Sequence, residues 1–209
     1  MANSMKDLLH EGHYNEIFAE FQSWHISAFV KQLNLNKNKG GVLPFVRGLR
    51  LSAQLIYAIR GIISEQPELD ANWGHILDQN NNFLSRECDI IIHRKGEVHK
   101  WNGKHGCVMD FRFISYDRAL AVVSCKSFVT NSVISKEAAY CKEMKNFVDK
   151  VWFFGECCAP KAVASLNKKA AAVGFDKFWH SYTWDKKTDA IQQNYPGWFD
   201  FREEVRKLK

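Results

Sequence analysis

The sequence lacks the long apolar runs that membrane spans require. No apolar stretch approaches the ~20 residues that a helix needs to cross a bilayer. Residues 1–11 carry charges throughout and lack the apolar core of a secretory signal peptide. Both absences argue against membrane insertion and secretion, and the expected location is the cytoplasm.

The cysteine pattern lacks the spacing of a small disulfide-bonded scaffold. Several of the six cysteines lie within predicted buried elements, so we expect reduced thiols in the core. His99, His105 and Cys107 lie close together in the sequence. They lack a paired CxxC or HxxxH unit and a clear fourth ligand, which argues against zinc.

What the sequence does contain is typical of one globular domain with a sizeable core. The chain has 209 residues, of which 46% are hydrophobic. The net charge of +6 permits a polyanionic partner without proving one. Residues 1–30 hold one lysine and four acids, whereas the segment after Lys126 is rich in lysine. We therefore expect the positive surface on the same side of the chain as the candidate site around Lys126.

Two short apolar runs each carry one charged residue where the run begins or ends. Asp89 precedes three consecutive isoleucines, and Lys126 follows an Ala-Val-Val run. Short runs rich in β-branched residues favour buried strands over helices. We expect the carboxylate and the ammonium at the rim of a sheet, on adjacent strands. The alternative for Asp89 is a turn residue that starts its strand.

Periodicity and turn residues predict the elements around these strands. A helix is expected over 52–65 with Ser52 as its N-cap, followed by a strand over 73–78. The segment 97–115 is expected to form a hairpin and an edge strand. The remaining predictions are a single helix over 133–150, a buried strand over 151–155, a helix over 159–173, an outer strand over 178–184 and a helix over 198–207.

This order of elements and charges resembles the PD-(D/E)xK nuclease superfamily. Its motif is an Asp on one strand, then a strand that ends in acid-x-Lys before a helix, and the resemblance covers about residues 52–152. The resemblance implies an α/β, restriction-endonuclease-like fold. Such a fold has a mixed central sheet flanked by helices, with an αβββαβ core.

The apolar pattern over residues 4–33 predicts one long helix or a helical pair in front of that core. Residues 34–41 are rich in Asn, Lys and Gly and are typical of a linker. We therefore divide the chain into an N-terminal helical extension, residues 1–41, and a compact domain, residues 42–209. The arm is expected to pack on the domain; a dimer contact and a DNA-facing role are alternatives.

The chain departs from the superfamily motif at Ser124, where the acid of acid-x-Lys is expected. At helical spacing, Glu137 falls in the centre of an apolar stripe, where an ionised carboxylate is costly unless it is paired or binds a metal. A subgroup of restriction enzymes in the superfamily has Ser-x-Lys with a Glu from the following helix. The segment from Ser124 to Lys126, followed by Glu137, resembles that arrangement. The alternative is a degenerate site in which Glu137 pairs with a core Lys or Arg.

The resemblance implies a Mg²⁺ site, with Mn²⁺ able to substitute. Asp89 and Glu137 would be the carboxylate ligands, and the backbone carbonyl of Cys125 a third ligand. Lys126 would orient the attacking water and stabilise the charge on the phosphate. A role for Lys126 as general base would require a strongly lowered pKa, so the electrostatic role is favoured.

Two further acids are candidates for supporting roles. Glu65, at the end of the predicted helix 52–65, matches an acid that holds the metal through water in some members of the superfamily. The alternative is a solvated Glu at a helix end. Glu87 alternates with Asp89 on the strand and could add a carboxylate, or it could pair with Arg86 or Arg94.

The resemblance implies a Mg²⁺-dependent DNA endonuclease of the restriction or phage-defence kind. Cleavage of duplex DNA by such a fold usually involves two active sites, which implies a homodimer. One alternative is a catalytically inactive relative that binds nucleic acid. Another is a regulatory or assembly subunit that uses the N-terminal helices as its interface.

Overall fold

A mixed sheet of eight strands forms the centre of the computed structural model, which describes residues 14–16, 42–96, 99–100, 111–185, 187–188 and 190–209. In chain order the strands are β1 (Leu69–Leu77), β2 (Cys88–Arg94), β3 (His99–Lys100), β4 (Phe111–Ser115), β5 (Ala119–Val129), β6 (Lys150–Cys158), β7 (Lys177–Asp185) and β8 (Ala190–Gln193). Their spatial order is β3-β4-β1-β2-β5-β6-β7-β8. The pairs β1–β4, β5–β6 and β6–β7 are parallel, and the other four pairs are antiparallel.

Helices cover both faces of the sheet. They are α1 (Val42–Ile62), α2 (Asn131–Lys136), α3 (Ala138–Met144), α4 (Val163–Val173) and α5 (Tyr195–Arg206). Residues of α1 and α5 pack on one face of the sheet, and residues of α2, α3 and α4 pack on the other. None of the described helices is long and apolar enough to span a membrane.

The isoleucine run of β2 explains why this strand lies in the middle of the sheet. Ile90 and Ile92 point into the core under α1 and α5, whereas Ile91 points into the core under α2 and α3. All three are fully buried. Successive side chains of a strand point to opposite faces, so a strand covered on both sides needs apolar residues at every position. The prediction of a buried strand that starts beside Asp89 is therefore confirmed.

The first helix of the domain begins earlier than the sequence pattern predicted. It starts at Val42 rather than at Ser52, and β1 starts at Leu69 rather than at 73. Ser52 lies inside the helix, where its hydroxyl donates to the carbonyl of Gly48 over 3.2 Å. A serine can satisfy its own hydroxyl within a helix in this way, so it does not mark a helix start by itself. The N-cap prediction for Ser52 is wrong.

The single helix predicted over 133–150 is also wrong. The helix starts at Asn131, with Thr130 as N-cap, and it is interrupted at Glu137, which separates α2 from α3. Glu137 has φ −86° and ψ 0°, and its N–H bonds to Ile134 only three residues back. Residues on either side of the break still fit a helical spacing, so periodicity alone carries no sign of it.

The edges of the sheet agree with the sequence predictions in part. The expected hairpin and edge strand are present, because β3 pairs antiparallel with β4 and lies at one edge. Residues 101–110 lie outside the described part of the chain. At the other edge β7 is not the outermost strand, since β8 pairs with it.

Little of the predicted N-terminal arm is described. Only residues 14–16 are, and they are helical; the rest of 1–41, with the predicted linker, lies outside the described residues. Tyr14 is fully buried against the ring of Trp198, and its hydroxyl donates to the carbonyl of Ser181 over 2.6 Å. This part of the arm therefore packs on the domain.

Candidate active site

Three charged side chains from separate elements meet at one end of β2 and β5. The ammonium of Lys126 lies 3.5 Å from Oδ2 of Asp89 and 3.5 Å from Oε1 of Glu137. Asp89 is the second residue of β2, Lys126 lies near the end of β5, and Glu137 joins α2 to α3. The structure thus brings together the three residues that the sequence analysis proposed as catalytic.

Strand register explains why two of these side chains share a face of the sheet. Ile90 pairs with Val123, which sets Asp89 beside Ser124 on the antiparallel neighbour. Lys126 lies two residues further along β5 and therefore points to the same face as Ser124. That face is the one covered by α2 and α3, which carry Glu137 between them.

Glu137 reaches the position beside Ser124 through the break in the helix. Ser124 is 2% exposed, and its hydroxyl donates to Oε2 of Glu137 over 3.3 Å. The side chain of Glu137 is itself only 16% exposed. A serine is short enough to leave room for this carboxylate, which fits the hypothesis that Glu137 stands in for the acid missing at Ser124.

The backbone of Cys125 orients Asp89. Its N–H donates to Oδ2 of Asp89 over 2.8 Å. Because the N–H and C=O of a strand residue point to the same side, the Cys125 carbonyl also faces the β2 side. Burial raises the pKa of the Cys125 thiol well above its usual value, and the thiol lies in the core on the other face of the sheet, under α1 and α5. The carbonyl as a metal ligand stays a prediction.

The charge of Lys126 is stabilised by its two carboxylate neighbours. Burial by itself would lower the pKa of Lys126, but the negative charges of Asp89 and Glu137 outweigh burial and raise the pKa above its ordinary value. Lys126 is therefore an ammonium at neutral pH. This favours an electrostatic role over a role as general base.

Arg86 also lies beside the site. From the sequence it was expected only as a possible partner of Glu87. Its guanidinium lies 3.8 Å from Oε2 of Glu137 and over the ring of Tyr140, 4.8 Å from the ring centroid. The one sequence signal for this arrangement is the position of Arg86 three residues before Asp89. The contact with Glu137 comes from the fold.

Glu87 has a partner different from those considered. Its carboxylate accepts a hydrogen bond of 2.8 Å from the indole N–H of Trp73 on β1. Arg86 lies beside Glu137, and Arg94 donates to the carbonyl of Lys209. The alternative in which Glu87 pairs with Arg86 or Arg94 is therefore wrong, and the support of a metal by Glu87 stays a prediction.

Glu65 lies at the wrong end of the sheet for the supporting role. The chain leaves α1 and enters β1 at Leu69, which pairs with Arg94, the last residue of β2. Five residues of strand separate Arg94 from Asp89, which corresponds to about 17 Å. The prediction for Glu65 is wrong, because the direction of α1 carries its C-terminal end away from Asp89.

The donor set at this end of the sheet suits a hard divalent cation. Oxygens of Asp89 and Glu137 both face one cationic group, the ammonium of Lys126, at 3.5 Å. Mg²⁺ prefers oxygen ligands, keeps several waters and needs only one or two carboxylates from the protein. Within the described residues no group of three or more His, Cys, Asp or Glu is placed to hold a metal ion.

The structure does not test whether His99, His105 and Cys107 could bind zinc. His105 and Cys107 lie outside the described residues, and the side chain of His99 is not described either.

Comparison with solved structures identifies the fold. NucC of P. aeruginosa ATCC27853 in its cAAA-bound form matches with a TM-score of 0.64 and 11% identity, over 99% of this chain and 92% of that chain. NucC of E. coli MS115-1, also cAAA-bound, matches with a TM-score of 0.61 and 9% identity, over 99% of this chain and 91% of that chain. No family model and no curated protein matches the sequence. The predicted restriction-endonuclease-like fold is confirmed by these likenesses.

Proposed function

We propose that this protein is a metal-dependent nuclease that hydrolyses phosphodiester bonds in DNA. The observation that carries the proposal is the convergence of Asp89, Lys126 and Glu137, with the ammonium 3.5 Å from each carboxylate. The fold supports it, since the matching NucC structures belong to a phage-defence endonuclease of the PD-(D/E)xK type. Because the identities are only 9–11%, the likeness shows the fold alone, and the activity proposed for this chain rests on its own residues.

Asp89, Glu137 and the carbonyl of Cys125 would hold the cation. The cation would be Mg²⁺, for which Mn²⁺ could substitute. When bound, such a cation offsets the negative charge that develops on the attacking and leaving oxygens. The protein keeps both carboxylates oriented: the Cys125 N–H binds Asp89, and the Ser124 hydroxyl binds Glu137. These hydrogen bonds are made before substrate arrives, so little reorganisation is needed at the moment of reaction.

Lys126 would act on the phosphate directly. As an ammonium it donates hydrogen bonds to a non-bridging oxygen and to the attacking water, and it stabilises the transition-state charge. Its partial burial strengthens this interaction, because the side chain is only 30% exposed and water screens it less. The attacking water gives its proton to solvent or to the substrate phosphate rather than to Lys126.

Double-stranded DNA is the proposed substrate, and a homodimer the proposed active form. The net charge of +6 supports a polyanionic partner. Two copies of the site are needed to cut both strands of a duplex in one binding event, which is an argument by analogy with the fold. A role in phage defence follows the same analogy.

The test is cleavage of unmodified phage DNA by the purified protein in Mg²⁺, with EDTA as the blank. Because the two NucC structures compared above are cAAA-bound, the same reactions are run with and without cyclic triadenylate. Cleavage only with the cyclic nucleotide would assign this chain a ligand-gated nuclease activity. DNA binding without cleavage under either condition would favour the inactive nucleic-acid-binding relative.

Replacing Glu137 by glutamine is expected to lower the cleavage rate by about 10²-fold or more, which is the scale for losing one group that stabilises transition-state charge. The amide keeps the size of the side chain and can still accept from Ser124, but it removes the negative charge beside Lys126. The initial rate of supercoiled plasmid loss measures the effect. Glu143→Gln is the matched control, since Glu143 lies on the adjacent helix α3.

We expect Glu143→Gln to cut at the wild-type rate. Equal rates for the two glutamine variants would show that Glu137 does not replace the acid absent at Ser124.

A further inference from the structure

Arg86 lies against the buried ring of Tyr140 at the edge of the proposed active site. It belongs to the segment that leads into β2, three residues before Asp89. Its guanidinium carbon lies 4.8 Å from the centroid of the Tyr140 ring. Tyr140 belongs to α3, is 3% exposed and packs in the core under α2, α3 and α4, so its ring holds one face of the guanidinium in place.

Arg86 and Glu137 form a long ion pair that is exposed on the arginine side. The two groups are 3.8 Å apart, which is beyond hydrogen-bonding distance, and the arginine side chain is 53% exposed. Exposed pairs of this kind contribute little to stability. The guanidinium of Arg86 therefore faces both the site and solvent, where a substrate can meet it.

We propose that Arg86 is a further substrate-binding residue, which contacts a backbone phosphate of the DNA next to the bond that is cut. The proposal rests on the nuclease function proposed above and adds a second positively charged side chain, besides Lys126, to the site. Arg86 and Lys126 both approach Glu137, at 3.8 and 3.5 Å, so two positive groups border the same carboxylate. A planar guanidinium matches two phosphate oxygens with two parallel N–H donors, which a lysine cannot do.

A phosphate contact predicts a specific pattern of effects. Phosphates are the same in every sequence, so Arg86 adds affinity for DNA without adding sequence preference. Each phosphate neutralised by a side chain also contributes about 0.9 to the slope of log affinity against log salt concentration. A residue that only positions Glu137 would alter the cleavage rate and leave this slope unchanged.

The experiment measures equilibrium binding of fluorescent duplexes of several sequences, in EDTA, over a range of salt concentrations. Arg86→Ala is expected to weaken binding about tenfold for every duplex and to reduce the salt slope by about one. Arg86→Lys is expected to restore the slope while recovering only part of the affinity, because it keeps the charge and loses the paired donors. Arg94→Ala is the matched control, since Arg94 lies at the far end of β2 and bonds to the chain terminus.

An Arg86→Ala protein with the affinity and slope of the Arg94→Ala control would overturn the proposal. Thermal melting of each variant establishes that it is folded, and Arg86→Gln replaces the alanine variant if that variant does not fold. Cleavage by the wild-type protein in Mg²⁺ is measured in parallel. If the wild-type protein cleaves DNA and Arg86→Ala binds DNA as tightly as wild type, only the phosphate contact is refuted. If Arg86→Ala has a reduced salt slope but the wild-type protein does not cleave DNA, only the nuclease function is refuted.

Discussion

Replacing Asp89 by asparagine is expected to abolish DNA cleavage while the protein still folds. The amide oxygen can still accept the hydrogen bond from the Cys125 N–H, which Asp89 now accepts over 2.8 Å. The negative charge that would hold the divalent cation is lost. Loss of one such electrostatic group typically lowers kcat by about 10²–10³, and a lost metal ligand is expected to reach or exceed that range.

Replacing Lys126 by alanine is expected to have an effect of the same order. It removes the ammonium that lies 3.5 Å from both carboxylates and that would stabilise charge on the phosphate. The two carboxylates then repel each other in the absence of a cation, which lowers the melting temperature in EDTA more than in Mg²⁺. Plasmid cleavage and thermal melting with and without Mg²⁺ measure both consequences.

Asp149→Asn is the control for these two variants, because Asp149 is an exposed acid in the turn before β6. It is expected to cut DNA at the wild-type rate. Cleavage by Asp89→Asn or by Lys126→Ala at that same rate would defeat the assignment of the active site. The fold assignment does not depend on this outcome.

The second large effect is expected at a buried ion pair on the other face of the sheet. Glu156 on β6 is fully buried and pairs with Arg50 on α1, whose side chain is 9% exposed. Removing Glu156 takes away the carboxylate that neutralises this buried guanidinium, which keeps its hydrogen bond to Gln54. Glu156→Ala is therefore expected to lower the free energy of unfolding by about 3–5 kcal/mol, as measured by urea denaturation.

Two further variants separate the charge effect from the loss of packing. Glu203→Ala removes an exposed acid that bonds to Arg206, and it is expected to cost less than about 1 kcal/mol. The double variant Arg50→Met/Glu156→Leu replaces the buried pair by apolar groups, and it is expected to recover much of the loss. Equal free energies of unfolding for Glu156→Ala and Glu203→Ala would show that removing one partner of the buried pair does not destabilise the fold as predicted.

The sequence allowed the two strand residues of the candidate site to be predicted. Asp89 and Lys126 stand out because each lies where an apolar run of strand length begins or ends, and strand alternation is a local property. The order of elements and charges resembles that of the PD-(D/E)xK superfamily, and this resemblance implied the α/β fold. These predictions needed no knowledge of which distant segments touch.

Glu137 was predicted as a site residue for a reason that the structure revises. An uninterrupted helix placed it on an apolar face, whereas the structure places it at the break between α2 and α3, where it accepts from Ser124. The unfavourable position of a buried carboxylate was the useful signal. The break itself could not be predicted, because the helical spacing of apolar residues continues on either side of Glu137.

By itself, the sequence determined the types of the main elements, the residues that share a strand face, and an unusual acid among apolar neighbours. Only the tertiary structure decided that Arg86 borders the site, that Glu65 lies far from it and that Glu87 binds Trp73. The physical reason is that local patterns depend on backbone periodicity and burial, which a few neighbouring residues set. Contacts between elements depend on register and helix direction, which the packing of the whole chain sets.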